Sequence, residues 1–479
     1  MSEPDFFGSI NFWDSGVWHL VVTFSILFAG MMLANIIRLR LRFIRRLMIP
    51  SAVLGGFLLL FLGWIWKLAT GSPLLNRVTL EELTYHGLGL GFVALTLKSA
   101  DGGTRKVSIG NSFHAGLTVV GTYLLQAILG LVITLGLSYV FTSSKTFSLG
   151  VITALGFGQG PGQAYNWGHT YETIYGFTYG ASFGLTVAAL GFISASLGGI
   201  LFLNRMRRRG AFSGYTGEQY TETYELSDFT GSNEIPLSES MDKLTIQVSL
   251  VFIAYAAAYA FMWVINLLIE HDVLGNFGHN TVQPLLWGFN FIFGILAAML
   301  LKAIIGGLRK KGVIRRDYTS SFLQTRISGF MFDVMVVASI AAIDLDAFRH
   351  KEFVIPLILV SAAALFATYR YCDLTCKRFY GGWSDQAFLA LFGMLTGTAS
   401  TGIILLRESD TKFSTPAADL LVSLQPFAIA FGFPMLLLLG VAPKSVGMSW
   451  LTLGLLLILF AVVNIIQFAI KRKKNGGPV

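Results

Sequence analysis

Two short stretches decide how this sequence is interpreted: LGVITALGFGQGPG at 149–162 and AFLALFGMLTGTASTG at 387–402. Each begins with an apolar segment of nine residues and then runs into a cluster of glycine with threonine, serine, glutamine or proline. Nine helical residues rise about 14 Å, half of the ~30 Å hydrocarbon core of a bilayer. Because glycine and proline end a helix, each stretch is predicted to enter a membrane halfway and turn back.

The rest of the chain is typical of a polytopic helical membrane protein. Of its 479 residues, 54% are hydrophobic and only 13% are charged, against about 25% charged in soluble domains. A soluble globule would need more charge on its surface, and a disordered chain would have fewer apolar side chains. Eleven apolar runs, most near or above the length of a membrane-spanning helix, lie at 17–37, 49–68, 85–98, 111–141, 175–203, 244–269, 283–304, 322–345, 352–372, 415–441 and 449–470.

Lysine and arginine predict the orientation of these runs. We take each run to cross once and the two interrupted segments, 148–168 and 386–406, to return to the side they left. Cytoplasmic loops carry the excess of basic residues, so the N-terminus is predicted outside and the C-terminus in the cytoplasm. The net charge of +9 is thus explained by basic residues in the cytoplasmic loops, and no nucleic-acid partner is expected. All but six of the 35 Lys and Arg then share one side, the exceptions being Lys67, Arg77, Lys145, Arg349, Lys351 and Lys444.

The predicted crossings divide into two halves of the same order: four crossings, one interrupted segment and a fifth crossing. Five is odd, so the second half starts on the opposite side, which is an inverted-topology repeat like those of secondary transporters. The predicted fold is therefore an all-α polytopic membrane protein. It has two inverted five-helix repeats, each with a re-entrant hairpin, and one extra C-terminal transmembrane helix. The predicted domains are 1–205 with hairpin 148–168, a cytoplasmic linker 206–243, 244–441 with hairpin 386–406, and 442–479 as the extra helix and basic tail.

The two hairpin tips form the candidate substrate site. Unwound backbone at membrane depth is tolerated only when it is buried in protein or lines a polar cavity. Its free carbonyls suit a cation, and free amides at a helix start suit an anion. The alternative is that glycine only permits close packing of helices, which is how we interpret Gly176, Gly180 and Gly184. The candidate substrate-binding residues are Gly158, Gln159, Gly160, Pro161, Gly162, Thr398, Ser400, Thr401, Gly402 and Arg407.

Sodium is the expected coupling ion, with Thr396, Thr398 and Asp333 as candidate ligands, and no prosthetic group is expected. Neutral hydroxyl and carbonyl oxygens suit a hard cation. A carboxylate at mid-helix costs about 2.5–3.5 kcal/mol on insertion scales, so Asp333 either binds an ion or proton or pairs with Arg326. Arg407 either holds a substrate carboxylate through two hydrogen bonds or lies solvated at the inner surface.

Catalytic signals are absent from the sequence. The GxGxG strings at 87–91 and 156–160 follow no strand of a βαβ unit and precede no P-loop lysine. Cys372 and Cys376 are interpreted as helix-packing residues in a reducing compartment. Gln126 and Asn290 are interpreted as interhelical hydrogen-bonding residues.

Several segments resemble the bacterial sodium/glutamate symporters (glutamate:sodium symporter, ESS type). IPSAVLGG at 49–56 looks like the family block Ile-Pro-x-x-Val-x-Gly-Gly at the start of its second helix. FGL at 183–185 with the glycine pair 198–199 is similar to the segment after the first hairpin, and 327–328 resembles the eighth crossing. The resemblance implies a sodium-coupled carrier for an anionic amino acid, built as a homodimer with an elevator-like motion.

The sequence departs from this family at both tips. The family's Gly-Gly-His-Gly-Thr is GQGP at 158–161, and its Thr-Pro-Thr pattern is replaced by TAST at 398–401. The leading hypothesis is sodium-driven symport of glutamate or a related amino-acid anion across the bacterial inner membrane. The alternatives are an uncoupled channel or a carrier for a different small organic anion.

Overall fold

The computed structural model describes residues 12–98, 107–141, 146–209, 242–314, 318–410 and 415–469. These residues form helices joined by short connections, with no β-strand among them. Positions 210–241 of the predicted linker and 470–479 of the predicted basic tail lie outside the described residues. The helices are α1 (Ser15–Arg40), α2 (Arg42–Arg46), α3 (Ser51–Thr70), α4 (Arg77–Leu97), α5 (Ile109–Ser138), α6 (Thr153–Gly158), α7 (Pro161–Thr173), α8 (Gly180–Arg208), α9 (Lys243–Glu270), α10 (Gly275–Phe277), α11 (Gln283–Gly288), α12 (Asn290–Lys310), α13 (Ser321–Ala341), α14 (Lys351–Phe379), α15 (Ser384–Thr396), α16 (Ala399–Arg407), α17 (Ala417–Ser423), α18 (Gln425–Leu439) and α19 (Val446–Ala469).

Ten helices in the described part are long and apolar enough to cross a membrane: α1, α3, α5, α8, α9, α12, α13, α14, α18 with the turn after it, and α19. They confirm the prediction of an all-α, multi-pass membrane protein. The predicted run 85–98 belongs to α4, which begins earlier, at Arg77. Glu81 and Glu82 lie in its second turn. Helix α4 is not among these ten helices, so this predicted crossing stays a prediction.

The predicted run 283–304 is divided between two helices. Helix α11 ends at Gly288, and α12 begins at Asn290 after Phe289, whose backbone is not helical (φ −110°, ψ 33°). The Asn166 side-chain amide on α7 donates to the Gly288 carbonyl at 3.1 Å. A side chain from another helix therefore satisfies a carbonyl that the break leaves without an intrahelical donor.

Polar contacts join several helix ends at one end of the bundle, here called the Arg77 end. Arg77 Nη1 lies 3.1 Å from Asp344 Oδ2, and Lys67 Nζ lies 2.9 Å from Asp346 Oδ2. The hydrogen bond and the positive charge of Lys67 hold the pKa of Asp346 below its usual range. These contacts join the end of α3 and the start of α4 to the connection between α13 and α14, and all of them are ends predicted outside.

A second set of contacts marks the opposite end, here called the Arg205 end. Asp373 Oδ2 lies 2.6 Å from Lys377 Nζ and 3.7 Å from Arg205 Nη1. The hydroxyl of Ser112 donates to that of Ser423 at 2.8 Å. These contacts join α8 to α14 and α5 to α17, at ends that the basic residues predict to be cytoplasmic.

Helices α5 and α8 lie at the centre of the bundle. In each of these two helices, 72% of the most apolar 18-residue stretch is buried inside the protein. The same share is 22% for α1 and α9 and 17% for α12. Helix α5 packs on α14, α18 and α19, and α8 packs on α6, α7, α14 and α15. The outer helices keep apolar faces for a bilayer, whereas α5 and α8 flank the two interrupted segments.

Candidate functional site

The first break lies between α6 and α7. A 3₁₀ turn, Leu149–Ile152, leads into α6, which ends at Gly158. Gly160 has φ +94° and ψ 177°, a backbone conformation that is open essentially only to glycine. Pro161 then starts α7 at the position where a missing N–H breaks no hydrogen bond and a fixed φ suits the helix.

The second break lies between α15 and α16. Helix α15 ends at Thr396, and α16 begins at Ala399 with Thr398 as its extended N-cap. Helix α16 folds back along α15, because a Cβ built on Gly393 would lie only 2.7 Å from Gly402 Cα. Glycine at both positions lets the two helix backbones touch, so this segment is a tight helical hairpin.

The two breaks meet at Gly191, near the middle of α8. A Cβ built on Gly191 would lie 2.6 Å from the Thr396 carbonyl oxygen and 3.4 Å from Phe157 Cα. Thr396 ends α15, and Phe157 belongs to the last turn of α6. Because Gly191 has no side chain, the ends of both interrupted segments can contact α8 at this position.

At other glycines of α8, the two interrupted segments pack against different halves of that helix. The backbone of Gly184 contacts that of Ala164 on α7, and Gly198 lies against the Phe392 ring on α15. Gly180 likewise contacts Gly168, which confirms the packing role predicted for Gly180 and Gly184. Gly176, predicted to share that helix face, instead lies before α8 with φ +70°. Helix α7 therefore lies along the part of α8 before Gly191, and α15 lies along the part after it.

The tips face one another across a narrow gap. A Cβ built on Gly160 would lie 3.6 Å from Thr398 Cγ2 and 3.9 Å from the Gly397 carbonyl oxygen, both ordinary contact distances. At Gly160 the two breaks are therefore about one methyl group apart. The sequence predicts that these tips meet, and this contact brings Gly160 and Thr398 together.

The remaining predicted residues take different positions around the gap. Thr396 is buried and donates its hydroxyl hydrogen to the Phe392 carbonyl at 2.7 Å, which leaves its oxygen lone pairs open. Thr401 is buried with Oγ1 3.4 Å from Thr398 Oγ1. Ser400 is exposed, whereas Gly158, Pro161 and Gly162 are buried.

Arg407 and Asp333 are not brought to the gap. Arg407 is the last residue of α16 and is exposed; from Ala399 the helix rises about 12 Å to reach it. Asp333 is exposed on α13. Neither side chain takes part in the contacts described at the tips. The assignment of Arg407 to the substrate and of Asp333 to sodium stays a prediction.

Two side chains of α5 contact the breaks that the sequence singled out. Tyr123 donates its hydroxyl hydrogen to the Gly158 carbonyl at 3.0 Å. The Gln126 amide nitrogen donates to Thr368 Oγ1 at 2.8 Å on α14 and to the Leu395 carbonyl at 3.0 Å on α15. The interhelical role predicted for Gln126 is thus confirmed. Its position inside the apolar run 111–141 gives no signal that its partners lie on α14 and at the end of α15.

The gap is polar but contains no charged side chain from either break. Neither 153–163 nor 391–402 includes Asp, Glu, Lys or Arg. Within the described residues, no group of three or more His, Cys, Asp and Glu could hold a metal ion. Any ion there would be bound by backbone groups, hydroxyls and amides.

No protein-family model matches this chain, and a search of curated proteins finds no match.

Proposed function

We propose that this protein is an ion-coupled secondary transporter that binds a small anion between the two breaks. An amino-acid anion such as glutamate is the leading substrate, and sodium is the proposed coupling ion. The observation that carries the proposal is the meeting of the two breaks, with Gly160 facing Thr398 and both segments seated on Gly191 of α8. Broken helices that meet inside a membrane bundle are typical of transporter binding sites.

The packing along α8 supports hairpins that enter from opposite faces. Helix α7 covers the half of α8 nearer the Arg77 end, and α15 covers the half nearer the Arg205 end. The helices of the two predicted halves also pack reciprocally: α13 packs on α3 and α4, and α4 packs on α12 and α13. Such exchanged partners are what repeats related by a two-fold axis would have, which supports the inverted-repeat proposal.

The substrate charge is inferred from the helix ends at the gap. Helices α7 and α16 both begin there, and the first N–H groups of a helix have no intrahelical acceptor. Each helix start carries a partial positive charge and binds carboxylates readily. With no acidic side chain in either break, the field at the gap favours an anion.

An aqueous route to the gap is inferred from the start of α16. Ala399 and Ser400 are exposed there, close to unpaired backbone N–H groups. Polar backbone of this kind is not found facing lipid hydrocarbon but is found in water-filled cavities. We therefore propose that this face of α16 opens to a crevice through which substrate enters.

Sodium is proposed to bind at the helix C-termini of the same breaks, where backbone carbonyls are free. Helices α6 and α15 end there, and half-helix C-terminal carbonyls coordinate cations in transporters. Thr396 and Thr398 add hydroxyl oxygens. On the resemblance to the sodium/glutamate symporters we further propose a homodimer in the bacterial inner membrane.

Reconstitution tests the proposal directly. Purified protein in liposomes is given labelled glutamate with an inward gradient of sodium chloride or of choline chloride, and protein-free liposomes serve as the control. We expect saturable uptake that requires the sodium gradient and that unlabelled substrate anions reduce. Flux that rises linearly with concentration and ignores both sodium and proton gradients would identify a channel and overturn the carrier proposal.

A further inference from the structure

Gln126 on α5 is completely buried and lies between the two breaks. Its exposed fraction is 0%. Its amide nitrogen uses both hydrogens, one towards Thr368 Oγ1 at 2.8 Å and one towards the Leu395 carbonyl at 3.0 Å. One side chain from the first half of the chain is thus fixed to the end of α15 in the second half.

These partners decide which way the amide points. The nitrogen and oxygen of a glutamine amide are assigned from the hydrogen-bond network. A carbonyl can only accept, so the atom that faces Leu395 must be the nitrogen. The oxygen, Oε1, must then face the other way, and it lies 3.1 Å from the position that a Cβ on Gly158 would take.

Gln126 Oε1 points at the first break without a hydrogen-bond donor. No donor among the described residues reaches it. The nearby Tyr123 hydroxyl already donates to the Gly158 carbonyl at 3.0 Å. Buried acceptors in proteins are almost always paired, so an unpaired one at a functional site points to a bound ion or water.

The surrounding groups favour a cation. Gln126 Oε1 faces Gly158 at the end of α6, and half-helix C-terminal carbonyls are typical sodium ligands in transporters. Hard cations prefer such oxygen ligands. Because neither break contains a carboxylate, a monovalent ion is favoured over a divalent one.

We propose that Gln126 Oε1 is a ligand of a monovalent cation held at the end of α6. The inference rests on the proposed function in that this cation is the coupling ion, and it adds a ligand on α5. A cation there would tie the end of α6 to the end of α15 through Gln126, whose amide nitrogen holds the Leu395 carbonyl, while the anion binds at Gly160 and Thr398. Each ion would then raise the affinity for the other, and this coupling is reciprocal.

The test measures cation binding without transport. The unfolding temperature of the purified protein is recorded in detergent with increasing sodium, lithium or potassium chloride, with choline chloride keeping the ionic strength constant. A ligand that binds only the folded state raises this temperature. We compare the wild type with Gln126→Leu, with Gln126→Glu and with a matched control, Thr122→Val. Thr122 lies one turn away on α5, is equally buried and donates to the Thr118 carbonyl of its own helix.

We expect one of these cations to stabilise the wild type and Thr122→Val with the same midpoint. Gln126→Leu should lose the effect or need roughly ten times more cation, and Gln126→Glu should need less, because it keeps the oxygen and adds a negative charge. An unchanged midpoint in Gln126→Leu, or no stabilisation of the wild type by any of the three cations, would overturn the inference. If Gln126→Leu does not fold, an unchanged midpoint in Gln126→Glu has the same consequence.

Uptake in liposomes separates this inference from the proposed function. Sodium-driven uptake with equal sodium midpoints in the wild type and Gln126→Leu would leave the transporter intact and remove Gln126 from the cation site. Cation stabilisation that depends on Gln126, in a protein without uptake, would keep the cation site and overturn transport.

Discussion

At the residue scale, glycine is required at the two breaks for two different reasons. Gly160 has room for a side chain, since a Cβ would lie 3.6 Å from its nearest neighbour, but its φ of +94° excludes one. Gly191 sits inside a helix with ordinary geometry, yet a Cβ there would lie 2.6 Å from the Thr396 carbonyl oxygen. Gly160 therefore keeps the shape of the first tip, and Gly191 keeps both segments close to α8.

Gly160→Ala is expected to abolish uptake while the protein still folds. The substitution strains the backbone by about 1–3 kcal/mol, which the tip can relieve by changing its conformation and so moving away from Thr398. The measurement is sodium-driven uptake in liposomes, with size-exclusion chromatography to check folding. Gly63→Ala on α3 is the matched control, because no atom outside its own helix lies within 4 Å of the added Cβ; wild-type uptake by Gly160→Ala would remove the tip from the site.

At the element scale, α19 is fixed to the centre of the bundle by a polar network. The Gln467 amide donates to the His114 carbonyl at 3.2 Å and to Thr118 Oγ1 at 2.8 Å, and its oxygen accepts from the Tyr371 hydroxyl at 3.2 Å. Asn464 accepts from the same hydroxyl at 3.0 Å. Helix α19 thereby links α5, which carries Gln126, to α14, which carries Thr368.

Gln467→Leu is expected to lower the free energy of unfolding by about 1–2 kcal/mol. Interhelical hydrogen bonds in membranes contribute about 0.6 kcal/mol each, and buried partners left unpaired add to the loss. The measurement is reversible unfolding in mixed micelles. Leu457→Ala on the exposed face of α19 is the control, and an equal effect of both variants would contradict a structural role for the network.

At the scale of the whole molecule, ion pairs at each end of the bundle join helix ends that are predicted to lie on the same side of the membrane. Lys67 and Arg77 meet the connection between α13 and α14 at one end, and Arg205 and Lys377 meet at Asp373 at the other. The first interrupted segment separates Arg77 from Arg205 along the chain. Whether Arg77 and Arg205 lie on opposite sides of the membrane therefore depends on whether that segment crosses it or returns.

Thiol labelling of intact cells tests this sidedness. Ser72→Cys, Lys311→Cys and Gly447→Cys are made one at a time in a background without Cys372 and Cys376, both of which are free and buried. All three introduced positions are exposed. We expect a membrane-impermeant maleimide to label positions 72 and 447 in intact cells and position 311 only after permeabilisation. Labelling of 72 and 311 from the same side would mean that the first interrupted segment does not return or that α4 does not cross. Labelling of 447 and 311 from the same side would mean that the second interrupted segment does not return.

Local features of the sequence determined the helices, the break positions and the choice of Gly160 and Thr398. Hydropathy fixes which segments leave water, and a cluster of glycine with proline or small polar residues weakens a helix locally, so both follow from the nearby sequence. The cysteines predicted to pack are indeed free and buried. The split at Phe289 was missed because Gly288 alone resembles an ordinary packing glycine.

Only the tertiary structure decided which side chains surround the gap. Gln126 and Thr368 are polar residues inside apolar helices, and their place beside Leu395 follows from how α5, α14 and α15 pack. Arg407 follows the second tip closely in sequence, but the rise of α16 carries it to the far end of that helix. Distances along a helix follow from its rise alone, so a local sequence pattern gives them. Distances across a bundle depend on how helices pack, and a local sequence pattern does not contain that information.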